Sequence, residues 1–172
     1  MRGEHPYVKW AIKVIESKVR DGVEIKPDPA SLEKSLFEIK AGVFVTLHTL
    51  DGELRGCIGT FVPTTPNLAY EIAQNAIAAA LEDPRFESVS IGELDDIVVS
   101  VDILSYPEEI ESEDELNTQK YGIIVENGWR RGLLLPDLEG VNTVDQQIKI
   151  AMSKAGIREY QKIYRFTVQR YH

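Results

Sequence analysis

The chain has 172 residues, 43% of them hydrophobic and 27% charged, with a formal net charge of -9. That length and the recurring apolar positions suit one globular domain, residues 1–172, ordered nearly end to end and needing no covalent staples. The negative charge opposes attraction to phosphate backbones and anionic lipid, so neither nucleic acid nor membrane is an expected partner; the one cysteine, Cys57, excludes an intramolecular disulfide and an all-cysteine zinc site.

Residues 1–7 carry charges and Pro6 where a secretory leader needs an apolar core, so the cytoplasm is the expected compartment. Val8, Ile12, Ile15 and Val19 then recur at helical spacing, and Gly22 is placed to end the helix. A turn at Pro27 to Pro29 precedes a short helix expected within 31–39. Residues 42–50 read as a strand, Asp51-Gly52 as a hairpin turn and 54–61 as the returning strand. Thr65 and Pro66 resemble an N-cap and first helical position, followed by the stripe Leu68, Ile72, Ala76 and Ala79. Residues 97–104 alternate as a strand that ends before Pro107. The acidic run 108–115 reads as a solvated loop or helix start, with no function assigned.

A second hairpin follows, with Asn127-Gly128 as its turn between strands at 123–126 and 129–135. Thr143 and Gln146 have capping-box spacing before the stripe Val144, Ile148, Met152 and Ala155, and Gly156 stops that helix. Residues 163–171 alternate as a last strand. The predicted fold is therefore α+β, a mainly antiparallel sheet with packed helices. Hairpin, helix and strand recur in the same order over 43–104 and 121–171, with Arg55-Gly56 matched by Arg131-Gly132, which raises an internal duplication beside chance similarity.

Leu54-Arg55-Gly56-Cys57-Ile58-Gly59-Thr60 resembles the signature heptapeptide of the AMMECR family. Asp83-Pro84-Arg85-Phe86, Leu104-Ser105, Gly132-Leu133-Leu134-Leu135-Pro136 and Lys154-Ala155-Gly156 follow in the family's order, so the resemblance covers nearly the whole chain. The stretch 135–141 is similar to the prokaryotic branch, called AmmeMemoRadiSam system protein A; Thr143-Val144-Asp145 stands where animal-type members carry a tryptophan. The resemblance implies association with a radical S-adenosylmethionine protein and a Memo-like protein. It implies no defined reaction, and any cofactor stays unknown.

A two-residue turn at Asp51-Gly52 would pair Leu50 with Glu53, His48 with Arg55 and Thr46 with Cys57. Val43, Val45, Leu47, Leu54 and Ile58 then share a core face, opposite Thr46, His48, Arg55 and Cys57. An adjacent arginine lowers a thiol's pKa and a histidine can act as its base, so Cys57, Arg55 and His48 are the candidate catalytic group. The competing reading makes Cys57 a buried small hydrophobe and His48 with Arg55 a surface pair. Gly56, Gly59, Thr60, Arg85 and Asp102 are candidate binding residues. The glycines suit either a close ligand or a closely crossing helix; Asp102 is placed to approach Arg55 or Arg85, or else to face solvent. Arg130 and Arg131 read as solvated charge.

Ser31-Leu32-Glu33-Lys34 lacks the companion motifs of penicillin-recognising enzymes, and Gly56-Cys57-Ile58-Gly59 lies on a strand, unlike the loop of a KH domain. The three histidines have no metal-ligand spacing, with His5 and His172 at opposite chain ends, and no phosphate-binding loop is present. Three readings follow: an accessory or partner protein presenting the 55–60 strand, an enzyme with Cys57 as activated thiol, or a small-ligand binding module.

Overall fold

The computed structural model describes residues 1–172 and divides into two compact units, Met1–Ile103 with Gln169–His172, and Leu104–Val168. In chain order the elements are α1 (Pro6–Asp21), α2 (Ser35–Glu38), β1 (Val43–Thr49), β2 (Leu54–Thr60), α3 (Leu68–Leu81), β3 (Ile97–Leu104), β4 (Glu108–Glu109), β5 (Gly122–Asn127), β6 (Arg130–Leu134), α4 (Val144–Ala155), β7 (Lys162–Phe166) and β8 (Val168–Tyr171). Helices and antiparallel strands mix in both units, as the sequence predicts. No helix is long and apolar enough to cross a membrane.

In the first unit the strand order is β2-β1-β3-β8, which leaves β2 on an edge. Gly22 ends α1 in the left-handed region (φ 70), where a residue without Cβ is unstrained. Helix α3 lies against β1 and β2, and α1 against α3. Their apolar faces meet Val43, Val45, Leu47, Val99 and Val101 in one core. Helix α3 starts two residues later than the sequence suggests: Asn67 caps it, accepting the Tyr70 N–H (3.4 Å), because the Thr65 side chain is bonded to Glu71 instead.

The first hairpin departs from the expected register. Thr49 N–H donates to Glu53 O (2.9 Å) and Gly52 N–H to Thr49 O (3.0 Å), so Leu50, Asp51 and Gly52 form a three-residue loop with Gly52 at φ 86. His48 therefore pairs with Leu54 and not with Arg55. The register shift between Leu47 and His48 leaves Arg55 as an extra residue, after which Leu47 pairs with Gly56 and Thr46 with Cys57. Leu54 accordingly leaves the core face and is 39% exposed.

The second unit has strand order β4-β7-β5-β6 and its own core of Ile123, Val125, Leu134, Ile148, Ala151 and Ile163. Thr143 and Gln146 form the expected capping box. The hairpin turn lies one residue later than predicted. Asn127 pairs with Arg130, and Gly128 (φ 59) with Trp129 makes the two-residue loop, since a turn with glycine first needs positive φ only there. The single strand expected over 163–171 is two, β7 and β8, interrupted at Thr167, whose peptide groups bond Ser105. Part of the acidic run forms β4 against β7 rather than a free loop.

Both units repeat one connection order: β2-β1-β3 with α3, and β6-β5-β7 with α4. The paired Arg-Gly positions serve the same packing in each. A Cβ on Gly56 would overlap the carbonyl oxygen of Ala79 in α3, and one on Gly132 that of Ala151 in α4. Glycine is required there by helix proximity. Gly56→Ala is therefore expected to lower stability by about 2 kcal/mol, measured by urea unfolding, whereas Gly92→Ala, with nothing within 4 Å of the new methyl, is expected to shift it by no more than about 0.5 kcal/mol.

Candidate functional site

The heptapeptide forms β2, and its centre is held from outside the sheet. Cys57 N–H donates to Asp83 Oδ2 (2.9 Å) and Cys57 O accepts from Arg85 Nη2 (3.2 Å). The two residues are themselves locked together: Arg85 donates through Nε (2.9 Å) and Nη2 (2.7 Å), and its peptide N–H to Asp83 Oδ1 (3.1 Å). Asp83 is only 4% exposed. The Arg85 guanidinium beside it, helped by the Cys57 and Arg85 N–H groups against the opposing effect of burial, holds its carboxyl well below the ordinary carboxylate range.

On the face that carries its side chain, Cys57 begins a row across three strands. Thr46 pairs with Cys57 on one side and with Ser100 on the other. Thr46 Oγ1 donates to Cys57 Sγ at 3.3 Å. The next row is Gly59, Phe44 and Asp102, with the Phe44 ring lying where a Gly59 Cβ would be. Asp102 does not face solvent; it is 1% exposed. Its partner is neither Arg55 nor Arg85 but Arg170 of β8, which donates through Nε (2.7 Å) and Nη2 (2.8 Å). The fork matches both carboxylate oxygens, which stabilises the buried charge. His48 stands on this face as well. Burial first, then the charges of Arg170 and His172, hold its pKa below the ordinary histidine value, so the imidazole is neutral at pH 7.

Arg55 belongs to a different cluster. Its Nε donates to Glu93 Oε1 (2.8 Å), and its Cζ lies 6.0 Å from the Phe86 ring centre, with Arg85 Cζ 5.4 Å from the same ring. The Arg55 hydrogen bond, and the Ser90 groups against burial, bring the Glu93 pKa down to about 2. Arg55 Nη1 is buried without a hydrogen-bond partner. Thr60 turns inward: its hydroxyl donates to Glu71 and accepts from Asn75 Nδ2 (3.3 Å). Glu71 is fully buried. It also accepts from Thr64 N (2.9 Å), Thr65 N (2.8 Å) and Thr65 Oγ1 (2.7 Å). Burial raises the Glu71 pKa, but these hydrogen bonds outweigh it and hold the group ionised.

The structure thus gathers Cys57, Thr46, Ser100, Asp102 and His48 on one face and ties Arg85 to the Cys57 peptide, while Arg55 is drawn away to Glu93. Glu71, Asp83, Glu93 and Arg170 are the residues that sequence reasoning missed. Glu71 had a signal, a carboxylate between Leu68 and Asn75 on the packed stripe of an alanine-rich helix. Asp83 had another, since an Asp two residues before an N–H, across a proline, forms a side-chain-capped turn. No group of three or more His, Cys, Asp or Glu side chains is placed to hold a metal ion.

A family model described as AMMECR1 matches residues 8–172. A protein of Thermotoga maritima is 64% identical over 99% of both chains. A protein of Clostridium acetobutylicum is 47% identical over 96% of this chain, yet the chain spans 36% of that relative's length. Among solved structures, the uncharacterized protein PH0010 from Pyrococcus horikoshii is similar with a TM-score of 0.86 at 35% identity, covering 95% of this chain and 88% of that one.

The depressed Glu93 pKa makes a signed prediction. Its stabilisation is fully present above the ordinary carboxylate pKa near 4.5 and is lost as pH falls towards about 2. After allowance for solvent screening the contribution is of the order of 1 kcal/mol. Urea midpoints at pH 6 and pH 3 are expected to differ less in Glu93→Gln than in the parent chain.

Proposed function

We propose that this chain, which belongs to the AMMECR1 family, is a cytoplasmic accessory protein of a radical S-adenosylmethionine and Memo-like system, presenting the Arg55 to Thr60 strand as its docking surface. The observation that carries the reading is the clamp on Cys57. Its N–H and C=O are fixed by Asp83 and Arg85 at a sheet edge. A recognition surface benefits from such fixing, because little ordering entropy is then lost on binding. The Clostridium relative supports it too: most of that protein lies outside the matched region, as expected of a domain that works beside other polypeptide. Arg55 is engaged by Glu93 and His48 is paired with Leu54, so neither is hydrogen-bonded to the thiol; the cation beside Cys57 is Arg85, which is itself held by Asp83.

One contact favours a second reading, an enzyme with Cys57 as its activated thiol. Hydroxyl donation from Thr46 to Sγ at 3.3 Å is the type of bond that stabilises a thiolate. In that reading Gly56, Gly59, Thr60, Arg85 and Asp102 shape the site around Cys57, and Arg55 and His48 assist once a substrate displaces Glu93.

Gel filtration under anaerobic conditions separates the two. The chain is expected to co-elute with a radical S-adenosylmethionine protein, a Memo-like protein or both at about 1–10 μM, the weak end of the range that standard-size interfaces span. Cys57→Ser is expected to keep the complex and Arg85→Ala to weaken it at least tenfold. Absence of any complex, together with alkylation of Cys57 faster than that of free cysteine, would overturn the accessory reading in favour of the thiol enzyme.

A further inference from the structure

The second unit carries an exposed aromatic and cationic surface that the reading above does not use. Trp129 sits at the β5–β6 hairpin tip and is 86% exposed, whereas the other tryptophan, Trp10, is 2% exposed in the core. Solvent-exposed tryptophan is costly to leave bare and is over-represented where proteins bind one another. The tip is a built, rigid feature. Asn127 Nδ2 donates to Glu159 O (2.9 Å), Gly128 N–H to Gln161 Oε1 (3.1 Å) and Gln161 N–H to Glu126 O (2.7 Å). Arg130 stacks on Trp129, its Cζ 5.2 Å from the ring centre, and donates through Nη1 to Gly156 O (2.8 Å). Beside this pair runs a groove of about 720 Å³, walled by the tip on one side and by Gly156, Ile157, Arg158 and Glu159 on the other.

Charge identifies the occupant. Around the tip, Arg131 is neutralised by Glu126 (2.5 Å), and Glu159 is the one acid lining the groove. Arg130, Arg158 and Lys154 on the neighbouring wall remain without carboxylate partners. The surface is thus cationic on a chain whose net charge is -9. That global charge repels nucleic acid, while a short acidic peptide segment can address the local patch. A second copy of this chain is the poorer occupant, because most of its acidic run is engaged internally, Glu108 and Glu115 by Arg165, Glu109 by Lys162 and Glu113 by Tyr160, which leaves only Glu111 and Asp114 there to meet the patch.

We infer that the Trp129 tip and its adjoining groove are a docking site for an acidic segment of a different protein, an apolar side chain lying on the indole and carboxylates meeting Arg130 and Arg158. This site is separate from β2 and stands whether or not the accessory reading holds.

The probe is a fluorescently labelled peptide in which leucine alternates with pairs of glutamate, followed by anisotropy at low and moderate salt. Binding is expected to the parent chain and to weaken at least tenfold in Trp129→Ala, the loss typical of a central aromatic anchor. Arg158→Gln is expected to weaken it severalfold and to flatten its salt dependence, with circular dichroism confirming that both variants fold. Replacing the peptide's glutamates by glutamine is expected to cost at least tenfold. Iodide should quench the parent's tryptophan emission more than caesium does, and Arg158→Gln should narrow that difference. The inference is overturned if the parent does not bind the peptide, if Trp129→Ala binds equally well, if an oligouridylate binds more tightly than the peptide, or if the tip mediates a dimer of the chain that Trp129→Ala abolishes.

Discussion

The geometry of the heptapeptide depends on the hydrogen bonds between the Cys57 peptide and the Asp83–Arg85 pair. An edge strand presents unpaired N–H and C=O groups, which invite slippage or pairing with another chain. Here the carboxylate and guanidinium supply both partners at one residue. The pair can reach Cys57 because α3 crosses β2 at contact distance, and that crossing is possible only where Gly56 faces Ala79. Helix α3 ends at Leu81, so Asp83 arrives beside the strand two residues later. At its other end Glu71 collects Thr60, Thr64 and Thr65. One helix therefore holds the heptapeptide at its end, its centre and its glycine.

The consequence is a fixed backbone beneath a face of mixed chemistry. Hydroxyl and thiol groups of Thr46, Ser100 and Cys57 lie in a row, flanked by the Asp102–Arg170 ion pair and a neutral His48. Only the carboxylate of this bidentate pair is buried, Arg170 being 55% exposed, so the desolvation cost falls on Asp102 and offsets part of the Coulomb energy. The second unit uses the same glycine device, with Gly132 against Ala151, and there the Leu133 carbonyl accepts from Lys154 Nζ (3.4 Å) in place of an arginine locked to an aspartate. Shared topology with different elaboration fits the division between the β2 edge in one unit and the Trp129 tip in the other.

Much of this was legible in the sequence because local rules set it. Proline and glycine bounded α1, Thr143 and Gln146 capped α4, β-branched residues marked β1 and alternation marked β3. The hairpin register failed because an Asp-Gly pair is compatible with both two- and three-residue loops, and the choice decides which face Leu54 and Arg55 take. The Thr46–Cys57 pairing was read correctly only because the bulge at Arg55 cancels the loop difference. Partners distant in sequence carried no local signal: Arg170 reaches Asp102 across strands, and His5 N–H donates to His172 O (2.8 Å) although the two lie at opposite ends of the chain.

The most direct measurement is amide hydrogen exchange of Cys57 by NMR, in the parent chain and in Asp83→Asn. If the clamp fixes the edge strand, the Cys57 amide is protected in the parent to a degree comparable with amides of the central strand β1, and its exchange accelerates at least a hundredfold in Asp83→Asn while β1 and β3 stay protected. A Cys57 amide that exchanges at loop rates in the parent, or one unchanged by Asp83→Asn, would contradict the account.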